Sequence, residues 1–531
     1  MALLKVVQDW ADTSPANVYY LIIGLALLTS IVLVAANVGR NEKYKYPNPV
    51  PGIPFFGNGL QVPSTAQGPW MTGVAKKTGD MHTMTFGGQR WLFLNTRKAV
   101  HDLLDKKAAI YSSRQNLPMA SEVISGNKRF LFMPYGPDWR KTRKEMHSIL
   151  NNTKSNLFEP YQDKESRALL YHYLHNPGRW ADANSRYANS IIMSVIYGKR
   201  SELGDEDMTN VLDNLEKFTP YVIPGQSLVD IFPWLLKVPI PKSWQVWRWR
   251  GDALYESTKG RILTVFDYGS AYKKLLDDLR ERQRLRTQKP CFMTEFLDRN
   301  TKGEFTEEET YFMAGTLIEA GSDTTRTTLM VMMAAAVLYP DWVERVQKQL
   351  DSVCGYNAQR LPTFDDMTNL PLLKGVVKEA LRWKPTTAET GVPHALTKDD
   401  SFDGYHIPAG TVVTYNSWAI SHLDYEDPER FYPERFLDEE LEVPFRGHLG
   451  FGAGRRVCVG YNVAWNNMLI SVSRLLYCFD IEGVPGKPVD ASKSFLVESG
   501  QPRFEIKIKP RSEAHAQLIQ RECANTVEME G

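Results

Sequence analysis

The stretch Phe451-Gly452-Ala453-Gly454-Arg455-Arg456-Val457-Cys458-Val459-Gly460 constrains this chain more than any other. It sets a single cysteine in a glycine-punctuated loop, directly before a helical pattern that runs to Tyr477. Glycine permits positive φ and close backbone approach, so main-chain N–H groups can point at the sulfur. A helix N-terminus and a metal each lower a thiol's pKa, which makes such a cysteine available as a ligand. Hydrogen-bond donors around the sulfur then tune the metal's potential. Arg456, two residues away, is placed to hold a carboxylate of the same cofactor.

The remaining cysteines, Cys291, Cys354, Cys478 and Cys523, are scattered, with no CxxC or CxxCH spacing. A disulfide-stapled fold, a zinc ribbon and a covalently attached c-type haem are therefore disfavoured. Cys291, Cys354 and Cys478 read as small buried hydrophobes. The chain has 531 residues, with 63 Lys+Arg against 62 Asp+Glu. That balance gives no electrostatic reason to expect nucleic acid as a partner.

Val18 to Val38 carries no charged residue and is mostly Leu, Ile, Val and Ala. At roughly 1.5 Å per residue such a helix reaches about 30 Å, the hydrocarbon thickness of a bilayer. A cleaved signal peptide is the competing reading, but its apolar core is shorter, about 7–15 residues. Arg40, Lys43 and Lys45 follow the segment, while Lys5, Asp9 and Asp12 precede it. The positive-inside rule then places residues 1–17 in the lumen, a transmembrane anchor at 18–38 and the body in the cytosol. A proline-rich linker at 39–54 ends in Pro47-Asn48-Pro49-Val50-Pro51-Gly52-Ile53-Pro54, which cannot continue a helix and forms a stiff strut. The catalytic body is expected at 55–510 and a polar, loose tail at 511–531.

Within the body helical patterns dominate, at Lys141–Leu150, Gly260–Arg284, Glu307–Leu338, Trp342–Val353, Leu372–Trp383 and Asn462–Tyr477. Strand patterns are fewer: a meander over Met81–Asn95 around Gly87-Gly88, and a strand–turn–strand over Ser401–Tyr415 with Pro408-Ala409-Gly410 as its turn. A last strand is expected over Arg503–Lys509. The fold class is mainly α with smaller β sheets: one large helical domain behind an N-terminal transmembrane helix.

The cysteine loop resembles the signature of the cytochrome P450 family, matching it at Phe451, Gly454, Arg456, Cys458 and Gly460. Average residue usage would match all five by accident about once in ten thousand chains of this length. Further motifs fall in the family's order. Glu379-Ala380-Leu381-Arg382 places acid and base three apart on one helix face, and Phe431-Tyr432-Pro433-Glu434-Arg435-Phe436 is similar to the family's second arginine segment. The resemblance implies that Glu379, Arg382 and Arg435 form a buried, structural charge network. Ala320-Gly321-Ser322-Asp323-Thr324-Thr325 lies inside the apolar helix Glu307–Leu338. A glycine there can let the helix pass over a flat cofactor, and a threonine hydroxyl can bond back and open the preceding turn. By resemblance Thr324 hydrogen-bonds dioxygen and Asp323 relays protons toward it. Trp139 and Arg143, four apart on one helix face, and His394 resemble positions that meet the cofactor's propionates.

What the resemblance implies is haem b, its iron ligated axially by the Cys458 thiolate, in a single-pass protein of the endoplasmic reticulum membrane. It implies a monooxygenase acting on a small hydrophobic substrate and O2, of a microsomal fungal type concerned with secondary metabolites or aromatic oxidation. No GxGxxG follows a strand pattern, so the electrons are expected from NADPH through a separate NADPH-cytochrome P450 reductase, with cytochrome b5 as a further partner. The expected docking surface is basic, near Arg143, Lys144 and Arg455. Substrate contacts are expected from Ser112–Arg129, Met208–Asp230, Phe312–Asp323, Pro385–Ala395 and Phe495–Gln501. Two alternatives stand beside this reading: a haem-thiolate isomerase or dehydratase that uses no O2, and a membrane-tethered haem sensor or carrier.

Overall fold

The computed structural model describes residues 24, 44–53, 57–63, 67–86, 88–151, 156–222, 227–231, 233–259, 271–385, 391–492 and 504–527. The expected anchor at 18–38, of which only Gly24 is described, lies outside these residues, as do expected substrate contacts at 386–390 and 495–501. Among the described residues no helix is long and apolar enough to cross a membrane.

The helices that build the core and the cavity are α1 (Pro137–Leu150), α2 (Glu159–His175), α3 (Trp180–Tyr197), α4 (Glu206–Phe218), α5 (Ala271–Arg284), α6 (Glu307–Leu338), α7 (Pro340–Cys354), α8 (Pro371–Trp383), α9 (Tyr461–Cys478) and α10 (Glu513–Cys523). Among the described residues three smaller sheets sit beside them. The strands are β1 (Met81–Phe86), β2 (Gln89–Leu94), β3 (Ser113–Arg114), β4 (His394–Ala395), β5 (Asp400–Phe402), β6 (Tyr405–Ile407), β7 (Val412–Tyr415), β8 (Phe479–Gly483) and β9 (Ile506–Pro510). The largest sheet has the order β1-β2-β7-β4-β3, with β2 and β7 parallel and the other pairs antiparallel.

Helix α6 is the axis of the molecule, and its bounds follow from its ends. Thr306 Oγ1 accepts from the Glu309 N–H, and Glu309 Oε2 accepts from the Thr306 N–H, closing a capping box. Glu307, Glu308 and Glu309 put negative charge on the first turn, where the helix dipole favours it. At the other end Tyr339 precedes Pro340, which holds Tyr339 out of the helical region. Between these ends α6 is apolar on nearly every side and therefore buried. It packs on α3, itself buried along almost its whole length, and touches α8 and α9. The main core collects side chains from all of these helices, with Trp342, Trp383, Tyr173, Tyr187 and Tyr197 among its largest fully buried members.

Two expectations are corrected. The turn expected at Pro408-Ala409-Gly410 is present, with Gly410 at φ 81° and the Thr411 N–H donating to the Pro408 carbonyl at 3.2 Å, but the strands on its two sides do not pair with each other. Asp403 and Gly404 both have positive φ (50° and 74°), the pattern of the primed turn that a two-residue hairpin needs, so β5 pairs with β6 there. Pro408 to Gly410 instead carries the chain to β7 in the larger sheet. The loose tail from 511 is the second. Ser512 caps α10, which seats Leu518, Ile519 and Cys523 fully in the main core against α2. The apolar spacing of those three residues on one helix face outweighs the polar composition around them.

Two buried histidines set an acid limit. Burial holds His82 down at about 4 and His448 at about 3. His448 is satisfied as a neutral ring: Nδ1 accepts from the Gly450 N–H at 3.1 Å and Nε2 donates to the Pro444 carbonyl at 3.0 Å. The unfolded chain binds these protons near pH 6.5 and the folded chain does not. Stability is therefore expected to fall as pH drops from about 6.5 toward 4, seen as a decreasing urea midpoint across that window. A flat midpoint there would show that neither ring stays neutral in the fold.

Candidate active site

Beneath α6 lies a cavity of about 320 Å³, within the size range of small-molecule sites. Cys458 lies deep in the protein, and its exposed surface faces this cavity. The loop that presents it is fixed by its backbone. The Cys458 N–H donates to the Phe451 carbonyl at 2.8 Å, and the Gly454 N–H donates to Asp105 Oδ1 at 2.6 Å. Gly454 has φ 62°, and a Cβ there would run into the Leu104 carbonyl. Gly454→Ala is accordingly expected to cost about 1–3 kcal/mol, measured as a lower unfolding midpoint. An unchanged midpoint would mean that the loop does not need this glycine.

Burial raises the Cys458 thiol above its ordinary value, against the Gly460 backbone N–H and the Arg143 guanidinium, which both favour the thiolate. This reverses the expected lowering. Desolvation outweighs both of these groups, and a metal cation is the charge that would tip the balance.

Beside the loop the wall is strongly cationic. Arg456 donates to the carbonyls of Ser112 at 2.8 Å and Met133 at 2.7 Å, and its guanidinium lies over the Trp139 ring at 4.3 Å. Burial, then the nearby Arg114 and Arg143, pushes it down to about 8. Arg143 donates from Nη2 to the Val457 carbonyl at 2.8 Å, and burial lowers it also. Arg114 donates from Nη1 to the Val392 carbonyl at 2.8 Å, and burial, opposed by Tyr415, takes it down to about 10. The Trp139 indole N–H is buried and meets no acceptor among the described residues. His394 also lines the cavity. Its Nδ1 contacts the Tyr111 carbonyl at 2.8 Å, and burial holds it neutral. Three clustered guanidiniums, two of which disfavour the charge on Arg456, with an orphaned indole donor, fit a ligand that brings carboxylates. The residues present thus fit haem, with Cys458 as iron ligand and Trp139, Arg143, Arg456, Arg114 and His394 on the propionate side. The sequence placed Arg114 only within the expected substrate segment Ser112–Arg129 and not on the propionate side, since a lone arginine in a two-residue strand carries no local signal.

Across the cavity stands α6. Ala320, Asp323 and Thr324 line the wall. Thr324 Oγ1 donates to the Ala320 carbonyl at 2.8 Å, the back-bond the sequence suggests, yet α6 stays regularly helical there rather than opening. Gly321 does not serve the cofactor face. A Cβ on it would sit 2.7 Å from Ile192, so it admits the close approach of α3, and Ala320 is the small residue facing the cavity. Asp323 is held by Arg326, whose Nε (3.0 Å) and Nη2 (2.8 Å) both donate to Oδ1.

Behind the loop the structure brings Glu379, Arg382 and Arg435 together. Arg382 donates to both Glu379 oxygens at 2.8 and 2.7 Å, and Arg435 Nε reaches Oε1 at 3.1 Å. The Tyr432 N–H also donates to Oε1, and Arg382 Nη1 ties down the carbonyls of Ser421 and Pro428. Of the basic trio expected to face a reductase, Lys144 and Arg455 are exposed, but Arg143 turns inward to the cavity, drawn by the Val457 carbonyl.

Of the expected substrate segments, the cavity takes Arg114 and Arg129 from the first, Leu215 and Phe218 from the second, Thr316, Leu317, Glu319, Ala320 and Asp323 from the third, and Val392 and His394 from the fourth.

A helical body with small sheets and a loop cysteine opening under a long central helix defines a recognisable class. The family model for Cytochrome P450 matches residues 47–508, and this chain belongs to that family. Its relatives include the cytochrome P450 monooxygenase verL of Clonostachys rogersoniana, 34% identical, covering 91% of this chain and 90% of that protein. Cytochrome P450 monooxygenase 58 of Postia placenta is 32% identical, covering 93% and 94% of the two chains. The cytochrome P450 monooxygenase virE of Hypocrea virens is also 32% identical, covering 95% and 92%.

Proposed function

We propose that the chain is a haem-thiolate monooxygenase that oxidises a small, hydrophobic organic molecule with O2, using NADPH through a separate reductase. The observation that carries this reading is the placement of Cys458 on one wall of an apolar cavity, with Thr324 and Asp323 on the α6 wall. Haem held by Cys458 would supply the oxygen chemistry, for which a thiolate ligand is suited.

The chain's own residues do the rest. Cys458 supplies the ligand, and the Gly460 N–H and Arg143 stabilise its charge. Trp139, Arg456, Arg143 and Arg114 orient the cofactor through its carboxylates. Thr324 Oγ1 can turn from the Ala320 carbonyl toward the cavity, where it holds a proton in a hydrogen bond. Arg326 grips Oδ1 of Asp323 and leaves Oδ2 for proton transfer. Leu215, Phe218, Leu131 and Leu317 exclude water and receive the apolar substrate. The relatives' printed names support the monooxygenase class.

The test uses haem-loaded protein with reductase, NADPH, isotopically labelled O2 and a panel of apolar aromatic metabolites. Label is expected in a product, with NADPH consumed. A product formed from a hydroperoxide without reductase, with no label from O2, would replace this reading by the isomerase alternative.

A further inference from the structure

Away from the guanidinium cluster, the charged groups among the described residues lining the cavity are Asp323, Arg129 and Glu319. Asp323 belongs to the proton path. Arg129 and Glu319 have no part in it. Glu319 lies one turn before Asp323 on α6, and Arg129 immediately precedes Phe130–Phe132. Arg129 Nη1 donates to Glu319 Oε2, and the Tyr272 hydroxyl donates to Oε1. Their side chains are only 3% and 6% exposed. The Arg129 guanidinium rests 3.9 Å from the centre of the Phe218 ring, and its Nε reaches Ser125 Oγ at 3.4 Å.

A buried ion pair is a poor way to stabilise a core, because apolar residues of the same volume commonly do as well or better. Here the pair sits on a ligand-facing wall among Leu131, Leu215, Phe218 and Leu317. The low dielectric of such surroundings strengthens any hydrogen bond made to it. A carboxylate has about four acceptor sites and a guanidinium five donors, so each keeps capacity beyond the pair itself. The pair's net charge is zero. A carboxylate ligand would meet Glu319, and a plain hydrocarbon would leave the polar wall unmatched. A hydroxyl both donates and accepts.

We propose that Arg129 and Glu319 form a specificity-determining anchor for a neutral, apolar substrate bearing a hydroxyl group, a phenol or an alcohol. Its O–H donates to Glu319 while its oxygen accepts from Arg129. This deepens the proposed function and rests on it.

The experiment measures binding of 2-naphthol, naphthalene and 2-naphthoate to the haem-loaded protein, by equilibrium dialysis and by the haem's spin-state shift. 2-Naphthol is expected to bind about tenfold or more tightly than naphthalene, and 2-naphthoate no more tightly than naphthalene. Equal affinities for 2-naphthol and naphthalene, or 2-naphthoate as the tightest ligand, would overturn the anchor. The double variant Arg129→Met/Glu319→Leu removes both charges at once, so it strands neither. It is expected to bind naphthalene more tightly than wild type does and to lose the preference for 2-naphthol; a retained preference would overturn the proposal. The wild-type series stands even if that variant does not fold. The carbon monoxide spectrum of the reduced protein, recorded on the same samples, separates the two readings. A sulfur-ligated band without the 2-naphthol preference removes the anchor alone, whereas absence of that band removes the haem-thiolate site and the anchor with it.

Discussion

Cys458→Ser is expected to yield a folded protein whose O2-dependent turnover has fallen at least about a thousandfold, equivalent to about 4 kcal/mol of barrier. The loop does not depend on the sulfur for its shape. Its backbone is held by the Cys458 N–H on the Phe451 carbonyl and by the Gly454 N–H on Asp105, and serine keeps both contacts. What serine cannot do is donate electron density to iron as a thiolate does. The unfolding midpoint should stay near that of wild type, while the reduced, carbon monoxide-treated sample loses the band of sulfur-ligated haem. Wild-type turnover in this variant would refute the assignment of Cys458 as the iron's ligand.

Glu379→Ala is expected to be as damaging by a different route. Glu379 is fully buried and Arg382 is 1% exposed. The carboxylate accepts from Arg382, from Arg435 and from the Tyr432 N–H. Removing it leaves a guanidinium without a counter-charge in the core and frees the 432–435 segment. Breaking one side of such a pair costs about 3–5 kcal/mol. The urea midpoint should fall accordingly, and little haem-loaded protein should be recovered. Glu379→Gln, which keeps shape and some acceptor capacity, should fall between the two. A Glu379→Ala midpoint equal to wild type would show that the network is not what holds this part of the fold.

The two variants mark what the sequence could and could not disclose. The cysteine loop, the Glu379–Arg382 pair and the span of α6 were legible because each is written in one continuous stretch of residues. For α6 the signal is the apolar helical pattern that runs from Glu307 to Leu338. Contacts made across the chain were not legible. Arg129 and Glu319 are 190 positions apart, and nothing near either residue announces the other. Gly321 was assigned to the cofactor face because the motif contains it, but a helix turns 100° per residue, and that rotation directs Gly321 at α3 and Ala320 at the cavity. The Cys458 thiol was expected low from the donors beside it. Its burial, a property of the whole fold, proved the larger influence. The hairpin at Asp403-Gly404 was missed for a local reason, since the Pro-Ala-Gly that follows is an equally good turn by composition.

Helix α10 carries a consequence for how the protein comes into being. Synthesis runs from residue 1 upward, and the groove on α2 stays open until Leu518, Ile519 and Cys523 have left the ribosome. A nascent chain that already carries Cys458 still presents that greasy groove to its surroundings, the condition under which chaperones engage and aggregation competes. Termination anywhere before 513 would make this exposure permanent, far from the chemistry.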